Sequence, residues 1–595
     1  MSDEAGELRR ICWTRVLPFT RLFSTFQRAR DFKNLCFGLA AVICAYVAGR
    51  ALDGAWTAAG AGVSRLPGGA LRNEIEAYVG LSAPEFDRWR RQTVRQWTEF
   101  QATRGQLDDS AHREQLDHAR SLVEARVQAG RKAIAGDAKR DAGARRQALH
   151  ELELSADIIR MQLAGYDVSR MADDAFRAKA FERLAAADES VTKAGQAEDA
   201  AELARVAAQQ RQLADGLKRT PRGPFIESLD FQSRCFAAAI RGVCAGRFGF
   251  SGGGVLNDQP AMAASLVSSG AGVLWMVTQR PWFTLVYGVA LLVIFAYFGV
   301  AICRATAIRA ARDEALAFNA VSQFVREKYP ASVMAVAIPL LTFVGFAALL
   351  IVGGLVGAIP GIGPVLSGLT FGLALLLGAA LVAIFIGMVF GSQLLWPTIA
   401  VEGSDAFDAI QRAFGYVFQR GWSLAFYAAL LLAYGGVGFV AVRGLAMLLL
   451  KLTHSALSVG MGFFGAVSGA RMDTFPQLSA MWHIPSWSDL SVLPTVSGPA
   501  FWGSFGNAPL SGVETLGMWL IAAWVFLVVA GVGAFVVSFY FAGATQMYLL
   551  LRHEVDGVDF EEVYYEEYEE EAPTATAADI AKGASLPIIN APPSA

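Results

Sequence analysis

The chain predicts an all-α fold that crosses a membrane six times and carries one large helical insert outside the membrane, between crossings one and two. Three observations carry that prediction. Six stretches are apolar and free of charge over about the thickness of a bilayer, for which roughly 20 mostly apolar residues are needed. A long polar segment, residues 51–280, separates the first stretch from the other five. Its centre, residues 73–216, is rich in Ala, Arg, Glu, Gln and Leu and nearly free of proline and β-branched runs, a composition that favours helix. Hydrophobic residues make up 54% of the chain and the formal charge is −2, which suits a polytopic membrane protein. No soluble element gathers the positive charge that nucleic acid requires.

Residues 1–33 form a basic amphipathic segment. Trp13, Phe19, Phe23 and Phe26 are interspersed with Arg15, Arg21 and Arg28, as in a helix lying among anionic headgroups; a generic basic flank fits the same residues. The first crossing, residues 34–50, is short, but Lys33 and Arg50 flank it and reach the interfaces. It reads as an uncleaved signal anchor, because its basic flank is long and small-residue patterns such as Ala58-Ala59-Gly60 lie beyond Arg50 and Asp53. In the insert, residues 82–101, 109–135, 141–164 and 189–217 read as successive amphipathic helices. Ile75, Tyr78, Val79, Phe86, Trp89, Trp97 and Phe100 supply a modest core, and Ser251-Gly252-Gly253-Gly254 a flexible connector.

Crossings two to five fall within residues 281–442, at 282–303, 333–358, 365–396 and 422–442. The third and fourth are joined by Ile359-Pro360-Gly361-Ile362-Gly363-Pro364, whose prolines and glycines impose a tight turn. Residues 443–514 form a second outside loop. Its start, 445–457, reads as an interfacial helix because Lys451 and His454 interrupt the apolar run, and Trp482, Trp487 and Trp502 suit the headgroup level. The sixth crossing lies in residues 515–551, and residues 552–595 form an acidic disordered tail; its acidic, aromatic first part reads as a solvated segment, or as one that docks on a basic partner such as the elbow loops of the same chain.

Basic residues near the crossings set the orientation. Arg9, Arg10, Arg15, Arg21, Arg28, Arg30 and Lys33 precede the first; Arg304, Arg309, Arg312, Arg326 and Lys328 lie between the second and third; Arg412 and Arg420 lie between the fourth and fifth. All are expected on the inside, with both chain ends. In a bacterium this is the inner membrane, with a periplasmic insert. Of the six cysteines, only Cys235 and Cys244 fall in the insert. A bend between two helices would let them form a disulfide, which their spacing of nine does not by itself establish; on one continuous helix they are too far apart.

One local pattern occurs twice. Asp313 and Glu314 precede Phe318-Asn319-Ala320-Val321 and Tyr329; Glu402 and Asp405 precede Phe407-Asp408-Ala409-Ile410, Arg412 and Tyr416. Acidic residues at the start and basic ones near the end suit a helix dipole, so each segment reads as a short amphipathic elbow helix between two crossings. Either the elbows fix the crossings or they form a collar that binds a partner. The stretch 401–412 resembles the Glu-Gly, Ala-Ile, Arg signature of bacterial integral membrane families of unknown function, including the membrane domain joined to some glycerophosphodiester phosphodiesterases. Residues 19–35, 223–250 and 303–314 are similar to uncharacterised planctomycete-type membrane proteins with the same order of crossing, insert and crossings. The resemblance implies the fold and no activity, since no phosphodiesterase domain is present.

Gly353, Gly357 and Gly361, then Gly368 and Gly372, then Gly387 and Gly391 recur at spacing four and predict close helix packing, within one bundle or along a homo-oligomer seam. Gly435-Gly436-Val437-Gly438 marks a candidate helix break. The apolar runs lack interior charge, which argues against ion-coupled transport. His112, Glu114, Asp117 and His118 read as a solvated face rather than a metal site. No nucleophile, histidine and acid form a set, and no cofactor motif occurs. The expectation is therefore a non-enzymatic membrane protein of the cell envelope, a scaffold that contacts lipids and protein partners. A permease or channel subunit for a neutral or lipidic solute is the alternative.

Overall fold

The computed structural model describes residues 17–65, 71–106, 109–136, 141–163, 174–188, 191–218, 220–250, 254–467, 482, 485, 487, 490 and 512–564. Cys12, Trp13, Arg15, Trp502, most of the glycine connector and the tail beyond Tyr564 lie outside the described residues. Among those described there are sixteen α-helices and no strand, only two isolated bridges, Val63 with Arg222 and Arg65 with Asn73.

A 3₁₀ turn, Pro18–Phe23, leads into α1 (Ser24–Ala29) and α2 (Phe32–Ala58). The insert follows as α3 (Glu74–Gly80), α4 (Ala83–Gln106), α5 (Asp109–Gly136), α6 (Ala142–Leu163), α7 (Asp174–Ala185), α8 (Lys193–Lys218), α9 (Pro224–Cys244) and α10 (Met262–Gln279). The remaining helices are α11 (Pro281–Arg312), α12 (Phe318–Gly357), α13 (Gly363–Glu402), α14 (Ala406–Gln419), α15 (Gly421–Val467) and α16 (Gly512–Asp556). Six helices are long and apolar enough to cross a membrane: α2, α11, α12, α13, α15 and α16. The protein is therefore an all-α polytopic membrane protein with a helical insert between its first two spans.

The spans pack around α16. Phe37, Ala41 and Val42 of α2 meet Val300, Ala301 and Cys303 of α11 and Val537 and Phe541 of α16 in one apolar cluster. Contact between α2 and α16 requires Gly38, where a Cβ would lie 2.6 Å from the Ala534 carbonyl oxygen. Half of the most apolar window of α16 is buried, against 11% and 6% in α12 and α13. That hairpin turns its side chains outward, as a lipid-facing surface can, because lipid tails are as apolar as leucine. In the insert, Val123 and Val127 of α5, Ile159 and Leu163 of α6, Leu184 of α7 and Leu203 and Val206 of α8 form a separate core.

Several boundaries differ from expectation. α15 is one helix of 47 residues, about 70 Å at 1.5 Å per residue, with no break at Gly435-Gly436-Val437-Gly438 and no separate interfacial helix after Val442. Lys451 and His454 are charged or polar but do not break a helix; only proline, or glycine under strain, does so. The first expected elbow is likewise continuous with its span, since α12 runs from Phe318 through Pro330 and Pro339. The second is a separate helix, α14. α7 and the apolar α10 were not expected. Phe19, Phe23 and Phe26 pack against Phe426 and Tyr434 of α15, so the aromatic residues of the N-terminal segment contact a span.

Cys235 and Cys244 are both free and lie on the continuous helix α9, nine residues apart, so the expected disulfide is absent. Cys235 is buried, and burial pushes its thiol up to about 12, whereas Cys244 is exposed. A membrane-impermeant maleimide should therefore label Cys244 without prior reduction and Cys235 only on unfolding, as read by peptide mass mapping. The seven spaced glycines also divide. Gly387 and Gly391 face Phe414, with a Cβ at Gly387 only 2.5 Å from its ring; Gly357 faces Ser367; Gly361 supplies φ +90 in the hairpin turn. Gly353, Gly368 and Gly372 have nothing within 4 Å, so the expected packing within the bundle fails there because the hairpin faces outward.

Candidate functional site: two buried ionic clusters

The end of the bundle where α11, α13 and α16 terminate is here the basal end. Each of these helices stops at a left-handed residue: Asp313 (φ 58), Gly403 (φ 64) and Gly557 (φ 67). After Gly403 the chain doubles back, and α14 returns beneath the bundle. That reversal brings Arg412 to Glu402, with Nη1 at 3.0 and 2.9 Å from its two oxygens. Arg552 of α16 pairs with the same carboxylate at 3.2 Å, and the Tyr548 hydroxyl donates to it at 2.5 Å. The Tyr416 hydroxyl of α14 donates to Asp556 at 2.5 Å, and that of Tyr427 to Glu554. Burial and then Asp556 raise the Tyr416 phenol well above its ordinary range. Burial alone would lower the Arg412 guanidinium, but Glu402 outweighs it and raises it.

The first part of the acidic tail is seated here. Tyr564 donates its backbone N–H to Val401 O at 2.8 Å, and its ring covers Gly403. Arg304 of α11 donates to Ala400 O at 3.0 Å and Tyr564 O at 2.7 Å, with its guanidinium 4.1 Å from the centre of the Phe324 ring. Arg21 stacks on Phe560 at 3.6 Å, so the two described ends of the chain meet. The expectation of a solvated tail from residue 552 is corrected through Tyr564; backbone pairing and arginine stacking outweigh its solvation. Gly403 is doubly required. A Cβ there would sit 2.7 Å from the Tyr564 ring at a φ that alanine disfavours. Gly403→Ala should cost roughly 1–2 kcal/mol and release the segment 557–564, read as faster amide exchange there.

The sequence-predicted elbow residues are only partly brought together. Glu402 and Arg412 pair, while Asp405 is the exposed N-cap residue of α14 and Phe407 is fully turned outward. Asp313 and Glu314 are exposed. Phe318 lies 5.4 Å from Phe37, with Lys33 Nζ 5.7 Å from its ring centre. His112 contacts Gln210 and His118 faces Glu202 at 3.9 Å; among the described residues no three metal-ligating side chains converge.

A second cluster, not anticipated from sequence, lies where the insert meets α2 and α11. Asp53, near the end of α2, accepts the N–H groups of Phe225 (2.8 Å) and Ile226 (3.0 Å) and so caps α9. Glu74 is fully buried and accepts from Arg280 at 3.1 Å, directly before α11. Glu76 pairs with Arg234. Glu227 pairs with Arg65 at 3.0 Å and accepts from the Asn73 amide at 2.7 Å. Nothing in their spacing separates these carboxylates from the many solvated ones of the insert.

Burial raises the Glu227 carboxyl above the ordinary glutamate range, and Arg65 and Asn73 offset it only in part. A raised folded value means a contribution to stability that is complete below the ordinary range and is lost as pH rises through the folded value. Glu227→Gln should therefore flatten the fall in stability of the full chain above about pH 4.5, measured as unfolding midpoints of both proteins over a pH series. Comparison with protein-family models, curated proteins and solved structures returns no match to this chain.

Proposed function

We propose that this protein is a non-enzymatic scaffold of the cell envelope, which holds its helical insert in fixed orientation above a six-span anchor for protein partners. The observation that supports this most is the cluster of buried carboxylates at Asp53, Glu74, Glu76 and Glu227. A helical domain joined by flexible linkers needs no such joint, whereas a display platform does, because breaking any buried ion pair is costly. The basal carboxylates also serve structure: Glu402 has both oxygens engaged by Arg412, with Arg552 and Tyr548 on one of them. On this reading the basal end faces the cytoplasm, in keeping with Arg309, Arg312, Arg326 and Lys328, and the insert lies outside.

A photo-crosslinking residue in place of exposed Val94 on α4, used in native membranes, tests the scaffold. Discrete products that recur with the same partner chain support it. Solute uptake by the purified protein alone in liposomes overturns it in favour of the permease. A reporter fused after Ala595 that is active only outside overturns the orientation.

A further inference from the structure

A cavity of about 250 Å³ lies at the basal end, between the N-terminal segment, α11 and α16. Its lining is Thr20, Arg21, Ser24, Arg28, Ala310, Gln546, Leu549 and Phe560, with two arginines and no carboxylate. The Thr20 and Ser24 hydroxyls already donate to Leu17 O at 2.7 Å and Arg21 O at 2.6 Å. Two donors remain unused. Arg28 Nη1 is buried with no hydrogen-bond partner, and so is Nε2 of Gln546, a side chain that is only 4% exposed. Leaving buried donors unmade costs about 1–3 kcal/mol each, more when charged. Burial, then repulsion from Arg21 and Arg309, lowers the Arg28 guanidinium to about 10 against the attraction of Asp313. Burial lowers that of Arg21 also, with Glu561 opposing.

The arrangement has the features of an anion site. Convergent donors come from the N-terminal segment and from α16, and no carboxylate lines the cavity. The volume falls below the roughly 300–1,000 Å³ of pockets for drug-sized ligands and suits one compact group. Arginine forks match phosphate oxygens in pairs, and a third donor from the opposite wall suits a tetrahedral group better than a planar carboxylate. We propose that this cavity binds a phosphate-bearing anion, held by Arg21, Arg28 and Gln546 beneath Phe560. The same chemistry is offered by a free phosphate and by a phospholipid headgroup at the membrane surface.

The test uses the purified full-length protein in nanodiscs of phosphatidylcholine, alone or mixed with phosphatidylglycerol. Thermal unfolding is followed in phosphate and in chloride at equal ionic strength, and retained lipid is identified by native mass spectrometry. Stabilisation by phosphate in phosphatidylcholine discs supports a soluble anion; selective retention of phosphatidylglycerol supports a headgroup. In whichever arm responds, Arg28→Gln and the charge-neutral Gln546→Leu should each weaken binding about tenfold, while Arg326→Gln, on the exposed face of α12, leaves it unchanged. No response in any arm, or undiminished binding by both folded variants, overturns the proposal.

Discussion

Glu402→Ala is expected to lower the stability of the full chain by roughly 3–5 kcal/mol, the cost of stranding a buried charge. The reason is what stays behind. The Arg412 side chain is 41% exposed and can turn to water, so its loss of a partner adds little. Arg552 is not so free: only 14% of its side chain is exposed, and it pairs with Glu402 at 3.2 Å. Tyr548, wholly buried, loses the acceptor of its hydroxyl at the same time. Glu402→Gln removes the counter-charge of Arg552 as well but keeps an acceptor for Tyr548, so it should cost less by roughly the 1–3 kcal/mol of an unmade buried hydrogen bond. Chemical unfolding in detergent, followed by tryptophan fluorescence, ranks the variants. Equal losses for Ala and Gln would show that charge, not the acceptor, dominates; no loss for either would remove Glu402 from the structural account.

Glu74→Ala is expected to have an effect of similar size, again roughly 3–5 kcal/mol, but confined to the joint of the insert. Glu74 Oε2 accepts from Arg280, which also donates to Gly62 O at 3.2 Å, and the Glu74 backbone N–H donates to Ser64 O at 3.1 Å. Removing the carboxylate leaves Arg280 buried beside the start of α11 without its counter-charge. The expected result is loosening of residues 62–80, seen as tryptic cleavage at Arg65 and Arg72 under conditions where the intact chain resists. The spans should unfold at the same denaturant concentration as before. Unfolding of the whole chain in one step would instead mean that joint and bundle form a single cooperative unit.

The two clusters differ in how far they were legible in the sequence. Glu402 and Arg412 stand ten residues apart within one motif, and a local pattern reveals local partners. Asn73 and Glu227 are 154 residues apart, and Arg280 and Glu74 are 206 apart. No periodicity marks such pairs, because a buried glutamate on a polar helix is spelled like a solvated one. The seating of the tail was legible only as the lesser of two readings, since its acidic composition favours solvation while its aromatic rings and backbone find arginines and a carbonyl from distant helices.

By itself, the sequence determined the helical class, the six spans, the hairpin turn at Gly361 and most insert helices, because hydrophobic length, helix propensity and turn chemistry act over neighbouring residues. The tertiary structure alone decided that α15 continues past Val442, which glycines face a helix and which face outward, that Cys235 and Cys244 stay apart, and which carboxylates are buried. Those outcomes depend on pairings between residues far apart in the chain, where desolvation and ion pairing oppose each other and only the actual neighbours settle the balance.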